Sequence, residues 1–288
     1  MFRLNADTIL IWTLRLCALT AGLIVLLITA FLLVESIPAF RSIGFVRFVN
    51  DDAWQPASDA ADGLFWLVPM VLGSLVAMAG AVLIATPLGI ASAAFCQFYA
   101  PPHIARVYRR IVELLAGIPS VVYGLWGLVV LVPIIRAVHP PGPSLLAAVI
   151  VLSIMILPTI ALMADAAFAN VPAQQLRAAS ALGLSRWATL RGVVLPSSRS
   201  GIFTGVILET GRAIGETMAV LMVAGNIVQL PVSPFEGCRT LTSNIALELG
   251  YALGDHRAAL FVSGLILIGM IASLVGAAEW ISKGRLYG

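Results

Sequence analysis

Long uncharged apolar runs, separated by short charged stretches, are the main pattern of this chain. A helix of about 20 residues crosses the ~30 Å hydrocarbon core of a bilayer, and most of the runs reach that length. A spanning segment must also satisfy its own backbone hydrogen bonds, which favours helices. We therefore predict an all-α integral membrane fold with six transmembrane helices, at residues 9–34, 65–97, 114–135, 144–164, 201–226 and 258–278.

Prolines interrupt several of these runs. We expect the second helix to kink or end near Pro87, because proline lacks an N–H group and its ring collides with the preceding turn. Gly117 and Pro119 in the third run, and Pro158 in the fourth, have two interpretations. They either open backbone groups toward a polar pathway or are ordinary kinks that neighbouring helices absorb.

The composition supports a membrane protein. Of 288 residues, 60% are hydrophobic and 11% are charged, with a mean hydropathy of +1.01, whereas a soluble domain is about one quarter charged. The net charge of +3 is modest and comes from arginines on flanks and loops, which argues against a nucleic-acid surface. Three scattered cysteines form no disulfide or metal-binding pattern. We expect the three histidines, His103, His139 and His256, to be solvated loop residues.

The distribution of basic residues predicts the orientation, because loops rich in Arg and Lys stay in the cytoplasm. Eleven of the 17 basic residues fall on one side of the predicted helices and five on the other, while Arg212 lies inside the fifth helix. The basic side holds Arg3 near the N-terminus, Arg285 near the C-terminus, and residues 98–113 and 165–200. We therefore expect both termini in the cytoplasm.

No repeat period is visible, and the loops are too short for a soluble domain. We expect residues 1–64 to form the first helix and the first outer loop. Residues 65–284 then form a core of five helices, which includes a long inner loop at residues 170–196.

Three charged side chains, Glu209, Arg212 and Glu216, lie within the fifth apolar run. Steps of three and four residues keep side chains on one helical face, so on a continuous helix these three form a single stripe. Arg212 then lies near the bilayer midplane, where a charge costs at least roughly 2.5–3.5 kcal/mol. Such a cost implies a partner or a task, and we predict that the stripe is the working site.

The stripe also has a purely structural interpretation, a buried Arg–Glu pair that only fixes helix packing. The G-x-x-x-G spacings at Gly201–Gly205 and Gly211–Gly215 support it, because such glycines let helices approach closely. The three charges sum to −1, so an anion site requires that Glu209 faces elsewhere, is protonated, or is offset by positive charge from a second subunit. We favour the second subunit. Thr217 and Ser120 are further candidate hydroxyl donors.

The inner loop at residues 170–196 predicts two short amphipathic helices. Pro172 suits the first turn of one helix, Gly183 breaks the pattern, Ser185 caps the second helix and Pro196 ends it. The apolar face of the first helix is expected to contain Leu176, Ala179 and Leu182. Because the surface is compact and rich in small residues, we favour docking to a partner's groove over helices that rest on lipid headgroups.

This loop resembles a known motif. Residues 177–183 read R-A-A-x-x-x-G and are followed by L-P, which is similar to the EAA loop of ABC importer permeases. In that family the loop is a coupling helix seated in a cleft of the ATP-binding subunit. The resemblance implies that the contact residues are Arg177, Ala178, Ala179, Gly183, Leu195 and Pro196. Arg177 stands where the family usually has Glu.

Further segments narrow the resemblance to the PstC-type permeases of the phosphate-specific transport system. They are AGIPSVVYGLWG at residues 116–127, GRAIGETMAV at 211–220, W-x-P at 54–56 and TPLGIASA at 86–93. The resemblance implies a type I importer permease core of MetI-like fold in the bacterial inner membrane. In that family the Arg and Glu of the G-R-A-x-G-E motif are implicated in transport, and they fall on Arg212 and Glu216.

The resemblance also implies partners: a pair of ATP-binding subunits, a PstA-type sister permease, a periplasmic phosphate-binding protein and the lipid bilayer. The chain has no G-x-x-x-x-G-K-[ST] segment to cradle ATP phosphates. We therefore expect no cofactor in this chain, with ATP and Mg²⁺ bound by the partner ATPase.

Phosphate chemistry suits the charged stripe. The planar fork of Arg212 matches two oxygens of a tetrahedral oxyanion. Glu216 can orient Arg212 and can accept a hydrogen bond from a phosphate OH, which sulfate lacks at neutral pH. Three alternatives remain: a permease for sulfate or molybdate, an intramembrane enzyme that uses Glu209 or Glu216 as an acid or base, and an ion-driven carrier that works alone.

Overall fold

The chain is helical over most of its length. A computed structural model describes residues 6–283, so Arg3, Arg285 and both chain termini, on which the orientation prediction depends, lie outside the described residues. The helices are α1 (Ala6–Ser42), α2 (Phe45–Asn50), α3 (Val68–Ala94), α4 (Pro102–Ala116), α5 (Ser120–Trp126), α6 (Val132–Val138), α7 (Leu145–Ala169), α8 (Ala173–Ala181), α9 (Arg186–Thr189), α10 (Leu195–Ile214), α11 (Met218–Val223), α12 (Leu241–Glu248) and α13 (Gly254–Lys283). The predicted all-α fold is confirmed.

Five helical stretches in the described chain are long and apolar enough to cross a membrane. They are Leu10–Ser42, Val68–Tyr99, Ser120–Val138, Leu145–Ala169 and Gly254–Ala278. The remaining predicted span corresponds to α10, a 20-residue helix that carries Arg199, Glu209 and Arg212 and is therefore less apolar than the others. With α10, the helices are consistent with the predicted six.

Three π-helical turns, at Phe95–Tyr99, Gly127–Leu131 and Leu190–Val194, each lie two residues before a proline. A proline ring collides with the carbonyl of the preceding turn in an α-helix, and a wider turn relieves that collision. The last π turn therefore joins α9 to α10 without interruption, and the prediction that Pro196 ends the second short helix is wrong. α3 likewise continues through Pro87.

One compact unit comprises Met1–Trp66 and Glu248–Ile266. Its outer loop forms a small antiparallel hairpin of β1 (Trp54–Gln55) and β2 (Leu64–Phe65). The guanidinium of Arg47 holds the connection between the strands, because it donates to the carbonyl of Ala60 at 2.7 Å and to that of Gly63. The expected division of the chain into residues 1–64 and 65–284 stays a prediction.

His256 is buried in this first unit, so the prediction that it is solvated is wrong. Its Nε2 lies 2.9 Å from Oε2 of Glu248, and Nε1 of Trp54 donates to the same oxygen at 2.8 Å. A buried carboxylate requires such polar partners, which explains why the imidazole packs inside. His103 and His139 are exposed, as predicted.

The second unit comprises Leu67–Leu247 and Leu267–Gly288, and α3, α7 and α10 pack together in its core. The first G-x-x-x-G spacing serves this packing. A Cβ on Gly205 would lie 2.7 Å from Cβ of Met163, and one on Gly201 would lie 2.8 Å from Cβ of Ala167. Gly211 has nothing within 4 Å of its Cβ position, so the second spacing does not mark a helix contact.

Candidate functional site

The fifth predicted helix is broken at Gly215. α10 ends at Ile214, residues 215–217 are non-helical, and α11 begins at Met218. The prediction of one continuous helix over residues 201–226 is therefore wrong. Glu216 does not extend the face that Glu209 and Arg212 share, since glycine weakens the helix and backbone groups in the break find other partners.

Glu209 and Arg212 remain one turn apart at the end of α10. Nη1 of Arg212 lies 3.8 Å from Oε2 of Glu209, a distance that suits an ion pair but is too long for a hydrogen bond. Glu209 is only 5% exposed, and within residues 6–283 this oxygen has no hydrogen-bond partner. The Arg212 side chain is 36% exposed. The pair thus places an accessible guanidinium over a buried carboxylate of opposite charge.

Glu216 and Thr217 fill the break. Oε1 of Glu216 accepts a hydrogen bond from the backbone N–H of Ala219 at 3.1 Å and so caps the start of α11. The backbone carbonyl of Glu216 accepts a hydrogen bond from the hydroxyl of Thr242 at 2.8 Å. The hydroxyl of Thr217 donates to the carbonyl of Gly215 at 3.4 Å. Glu216 is therefore part of the architecture of the break, and its role in choosing an anion stays a prediction.

A second break lies at Gly117–Pro119, where the sequence predicted an opened backbone or a kink, so the third span begins at Ser120 and not at residue 114. Proline cannot donate the backbone hydrogen bond that would join α4 to α5. The hydroxyl of Tyr123 donates to the carbonyl of Leu115 at 2.7 Å and ties the two sides of this break together. Ser120, a predicted hydroxyl donor, is the first residue of α5 and is partly exposed.

The helices that follow the two breaks pack closely and run parallel. A Cβ on Gly124 would lie 2.8 Å from the Cα of Ala219, and a Cβ on Gly127 would lie 2.9 Å from a methyl group of Val223. Gly127 lies about one turn after Gly124, and Val223 lies about one turn after Ala219, so the two segments run in the same direction. Both contacts follow their breaks by a few residues, so the two breaks lie at similar depth. At membrane depth, broken helices are tolerated only where the backbone is buried in protein or lines a water-filled cavity.

A polar cluster beyond α11 was not predicted. Nε of Arg239 donates to the carbonyl of Asn226, and Nη1 donates to Oδ1 of Asn244, both at 3.0 Å. The buried hydroxyls of Thr240 and Thr242 lie 3.1 Å apart. The signal in the sequence is the uncharged, mainly polar run T-L-T-S-N at residues 240–244, between the fifth and sixth predicted helices, because polar side chains so close to apolar spans need hydrogen-bond partners.

The inner loop forms its two predicted short helices. α8 follows Pro172, and Gly183 has a φ of +68°, a conformation that glycine adopts without strain. Oγ of Ser185 accepts a hydrogen bond from the N–H of Ala188 at 3.2 Å, which is the predicted cap of α9.

The six candidate contact residues of the EAA-like loop divide by exposure. Arg177, Ala178, Gly183 and Pro196 are exposed, Leu195 is partly buried and Ala179 is buried. Ala179 therefore contributes to internal packing. Leu182, which was predicted on the apolar face with Leu176 and Ala179, directly follows the last residue of α8 and is 79% exposed.

The chain is similar to a family of transport proteins. Residues 85–286 match the family model described as binding-protein-dependent transport system inner membrane component. The chain is 41% identical over 233 residues to the probable ABC transporter permease protein YqgH of Bacillus subtilis (strain 168), which covers 80% of this chain and 75% of that protein. It is 36% identical over 229 residues to the phosphate transport system permease protein PstC of Mesorhizobium japonicum. That match covers 72% of this chain and 68% of that protein. For PstC of Pasteurella multocida the identity is 34% over 255 residues, covering 81% and 78%.

Solved structures share the fold at low sequence identity. Inward facing conformations of the MetNI methionine ABC transporter match with a TM-score of 0.59 at 20% identity, over 76% of this chain and 93% of that one. A bacterial alginate ABC transporter, in complex with an alginate pentasaccharide-bound periplasmic protein, matches with a TM-score of 0.68 at 16% identity, over 99% and 98%. These likenesses show the fold alone, which is the predicted MetI-like permease fold.

Proposed function

We propose that this chain, which belongs to the family of binding-protein-dependent transport system inner membrane components, is the permease subunit of an ATP-driven importer of inorganic phosphate. The relatives named as phosphate transport system permeases support the substrate. The observation that carries the proposal is the accessible guanidinium of Arg212 beside a helix break.

The position of Arg212 suits a step in ion passage. From Arg199, thirteen residues earlier, α10 rises about 20 Å, so Arg212 lies well within a ~30 Å hydrocarbon core. Its planar fork offers paired N–H donors to two phosphate oxygens. The buried carboxylate of Glu209 partly neutralises the charge of Arg212, so the guanidinium attracts a passing anion less strongly than an unpaired arginine would. This arrangement favours release as well as binding.

Polar groups at the two breaks complete the proposed site. Ser120 begins α5 and Thr217 precedes α11, and these helices run parallel in contact. We assign the Ser120 hydroxyl to a phosphate oxygen as the ion passes Arg212, and the Thr217 hydroxyl would donate to a second oxygen by giving up its 3.4 Å bond to the carbonyl of Gly215. Glu216 would accept a hydrogen bond from a phosphate OH through Oε2, since Oε1 is occupied by the N–H of Ala219.

Energy comes from another subunit in this proposal, and the chain itself is not an enzyme. The exposed part of the inner loop, around Arg177, Ala178 and Gly183, would dock into an ATP-binding subunit that holds ATP and Mg²⁺. The remaining partners are a second ATP-binding subunit, a PstA-type sister permease that completes the passage, and a periplasmic phosphate-binding protein at the outer loops. The chain would lie in the bacterial inner membrane with both termini in the cytoplasm, and ATP turnover would rock its helices to alternate access.

The test is ATP-dependent uptake of labelled phosphate by the assembled complex in proteoliposomes. Arg212→Gln is expected to lower uptake about tenfold to 100-fold, the loss typical of one charge-assisted contact. Arg199→Gln, an exposed arginine on the same helix, is the matched control and is expected to transport normally. Both variants are first checked for assembly. Normal uptake by an assembled Arg212→Gln complex would contradict the site, and gradient-driven uptake without ATP would contradict the energy source.

A further inference from the structure

Helix α4 presents three distinct faces. Ala105 and Val112, two turns apart, are buried. A second face is apolar yet exposed, with spacings of three and four residues, and consists of Ile104, Val107, Ile111 and Leu114. The third face is polar and lines an open cleft of about 500 Å³ with Arg106, Arg109, Arg110 and Glu113.

Arg109 is the anchored member of the polar face. Its Nη2 donates to Oδ1 of Asp165 on α7 at 2.9 Å, and its Nε lies 2.9 Å from Oδ2 of the same carboxylate. This hydrogen bond raises the pKa of Arg109 above its ordinary value, against the opposing effect of burial. Asp165 therefore offsets the charge of Arg109 and fixes α4 against α7.

Arg106 and Arg110 are different, because both are exposed and neither forms an ion pair within the part of the chain that the structure describes. Glu113 supplies the acidic charge on this face. The cleft thus keeps a net positive charge after the Arg109–Asp165 pair is set aside.

The cleft lies at the end of a membrane span. Gln97 and Ala100 line it, and the candidate span Val68–Tyr99 ends between them. Phospholipid headgroups occupy the zone just outside the hydrocarbon core. The side is that of the inner loop, because Nη1 of Arg186 donates to the carbonyl of Phe98 at 3.2 Å.

We propose that this cleft binds the headgroup of an anionic phospholipid, whose acyl chains lie along the exposed apolar face of α4. Arginines bind phosphodiester oxygens through charge-assisted hydrogen bonds, and basic residues near a membrane surface attract anionic lipids. A continuous apolar face beside the cationic one favours a lipid over free phosphate, because acyl chains cover the exposed Val107 and Leu114. The proposal requires only that the chain lies in a membrane, and it does not depend on which substrate is transported.

The test is native mass spectrometry of the full-length chain in a mild detergent. The protein is titrated with phosphatidylglycerol and with phosphatidylcholine of the same acyl chains. The wild-type chain is expected to bind phosphatidylglycerol about tenfold more tightly, and the double variant Arg106→Gln/Arg110→Gln is expected to lose that preference. Arg106→Lys/Arg110→Lys keeps the charges and should retain most of it. Arg136→Gln is the control and should behave as wild type. Arg136 is an exposed arginine near the end of the span Ser120–Val138 and does not line the cleft.

Equal affinity of the wild-type chain for the two lipids would overturn the proposal, as would unchanged phosphatidylglycerol binding by the double Gln variant. Loss of binding in the double Lys variant, to the same extent as in the Gln variant, would show that charge is not the cause. Displacement of phosphatidylglycerol by millimolar inorganic phosphate would assign the cleft to the free ion instead.

Discussion

The hydroxyl of Thr242 on α12 donates a hydrogen bond at 2.8 Å to the backbone carbonyl of Glu216, which lies within the break between α10 and α11. Thr242 is only 6% exposed. The carbonyl has left the helical ladder and needs a partner away from water, so this bond replaces one that a continuous helix would have made. The geometry of the break therefore depends on a polar segment 26 residues further along the chain.

Thr242→Val keeps the shape of the side chain and removes this donor. We expect a loss of about 1 kcal/mol in the free energy of unfolding, because the partly buried carbonyl of Glu216 loses its hydrogen-bond partner. Phosphate uptake by the complex should fall several-fold as the break loosens. Thermal unfolding in detergent and proteoliposome uptake measure the two effects. Thr242→Ser keeps the hydroxyl and is the control, and equal behaviour of the Val and Ser variants would contradict the assignment.

The carboxylate of Glu216 caps α11 through one oxygen and also carries a negative charge. Two variants separate the effect of the cap from the effect of the charge. Glu216→Gln keeps an acceptor for the N–H of Ala219, so we expect near-normal stability. Glu216→Ala removes the acceptor and should cost about 0.5–2 kcal/mol. If the charge selects phosphate, excess sulfate should leave wild-type phosphate uptake unchanged and should inhibit uptake by the Glu216→Gln variant. Resistance to sulfate in the Gln variant would leave Glu216 with a capping role only.

Ala178 and Ala179 are adjacent residues of the inner loop with opposite exposure. Ala179→Leu forces extra volume into a site that is 3% exposed, so we expect a loss of about 1–3 kcal/mol in stability. Ala178→Leu changes an exposed site, so thermal unfolding should be unchanged. If this surface docks the ATP-binding subunit, Ala178→Leu should weaken co-purification of that subunit. If the ATP-binding subunit co-purifies with the Ala178→Leu variant as well as with wild type, Ala178 is not part of the docking surface.

Cys238 gives a pH dependence of stability. Burial raises the pKa of its thiol from 9.0 to about 11. The pKa is higher in the folded state than in the unfolded state, so the contribution to stability is present below about pH 9 and is lost as pH rises toward 11. Two pKa units correspond to about 3 kcal/mol. Between these pH values wild type should lose more stability than Cys238→Ala, measured by thermal unfolding in detergent. Parallel losses in the two proteins would contradict the assignment.

The spans were predictable because hydrocarbon imposes one requirement of length and polarity on every helix that crosses it. The fourth predicted span, residues 144–164, matches Leu145–Ala169, with Ser144 as the cap. The ends were less predictable, since helices continue beyond the core. α1 extends to Ser42, eight residues past the predicted end.

The breaks were not predictable from local pattern. Residues 201–226 carry long apolar runs on both sides of Gly215, and the partners that satisfy the broken backbone lie elsewhere in the chain, as Thr242 shows. Two of the four segments that narrowed the resemblance, residues 116–127 and 211–220, contain the two breaks. The pairing of Glu209 with Arg212 followed from their spacing alone, whereas the place of Glu216 required the fold.

The uninterrupted helical path from Arg186 to Ile214 has a mechanical consequence. Its 29 residues are helical without a non-helical residue between them, and a straight helix of that length spans about 43 Å. One end carries the exposed Trp187 and the other carries Arg212. We expect a displacement of the inner-loop end to be transmitted along this helical path to Arg212, with the π turn before Pro196 and the break at Gly215 as the positions where the path can bend.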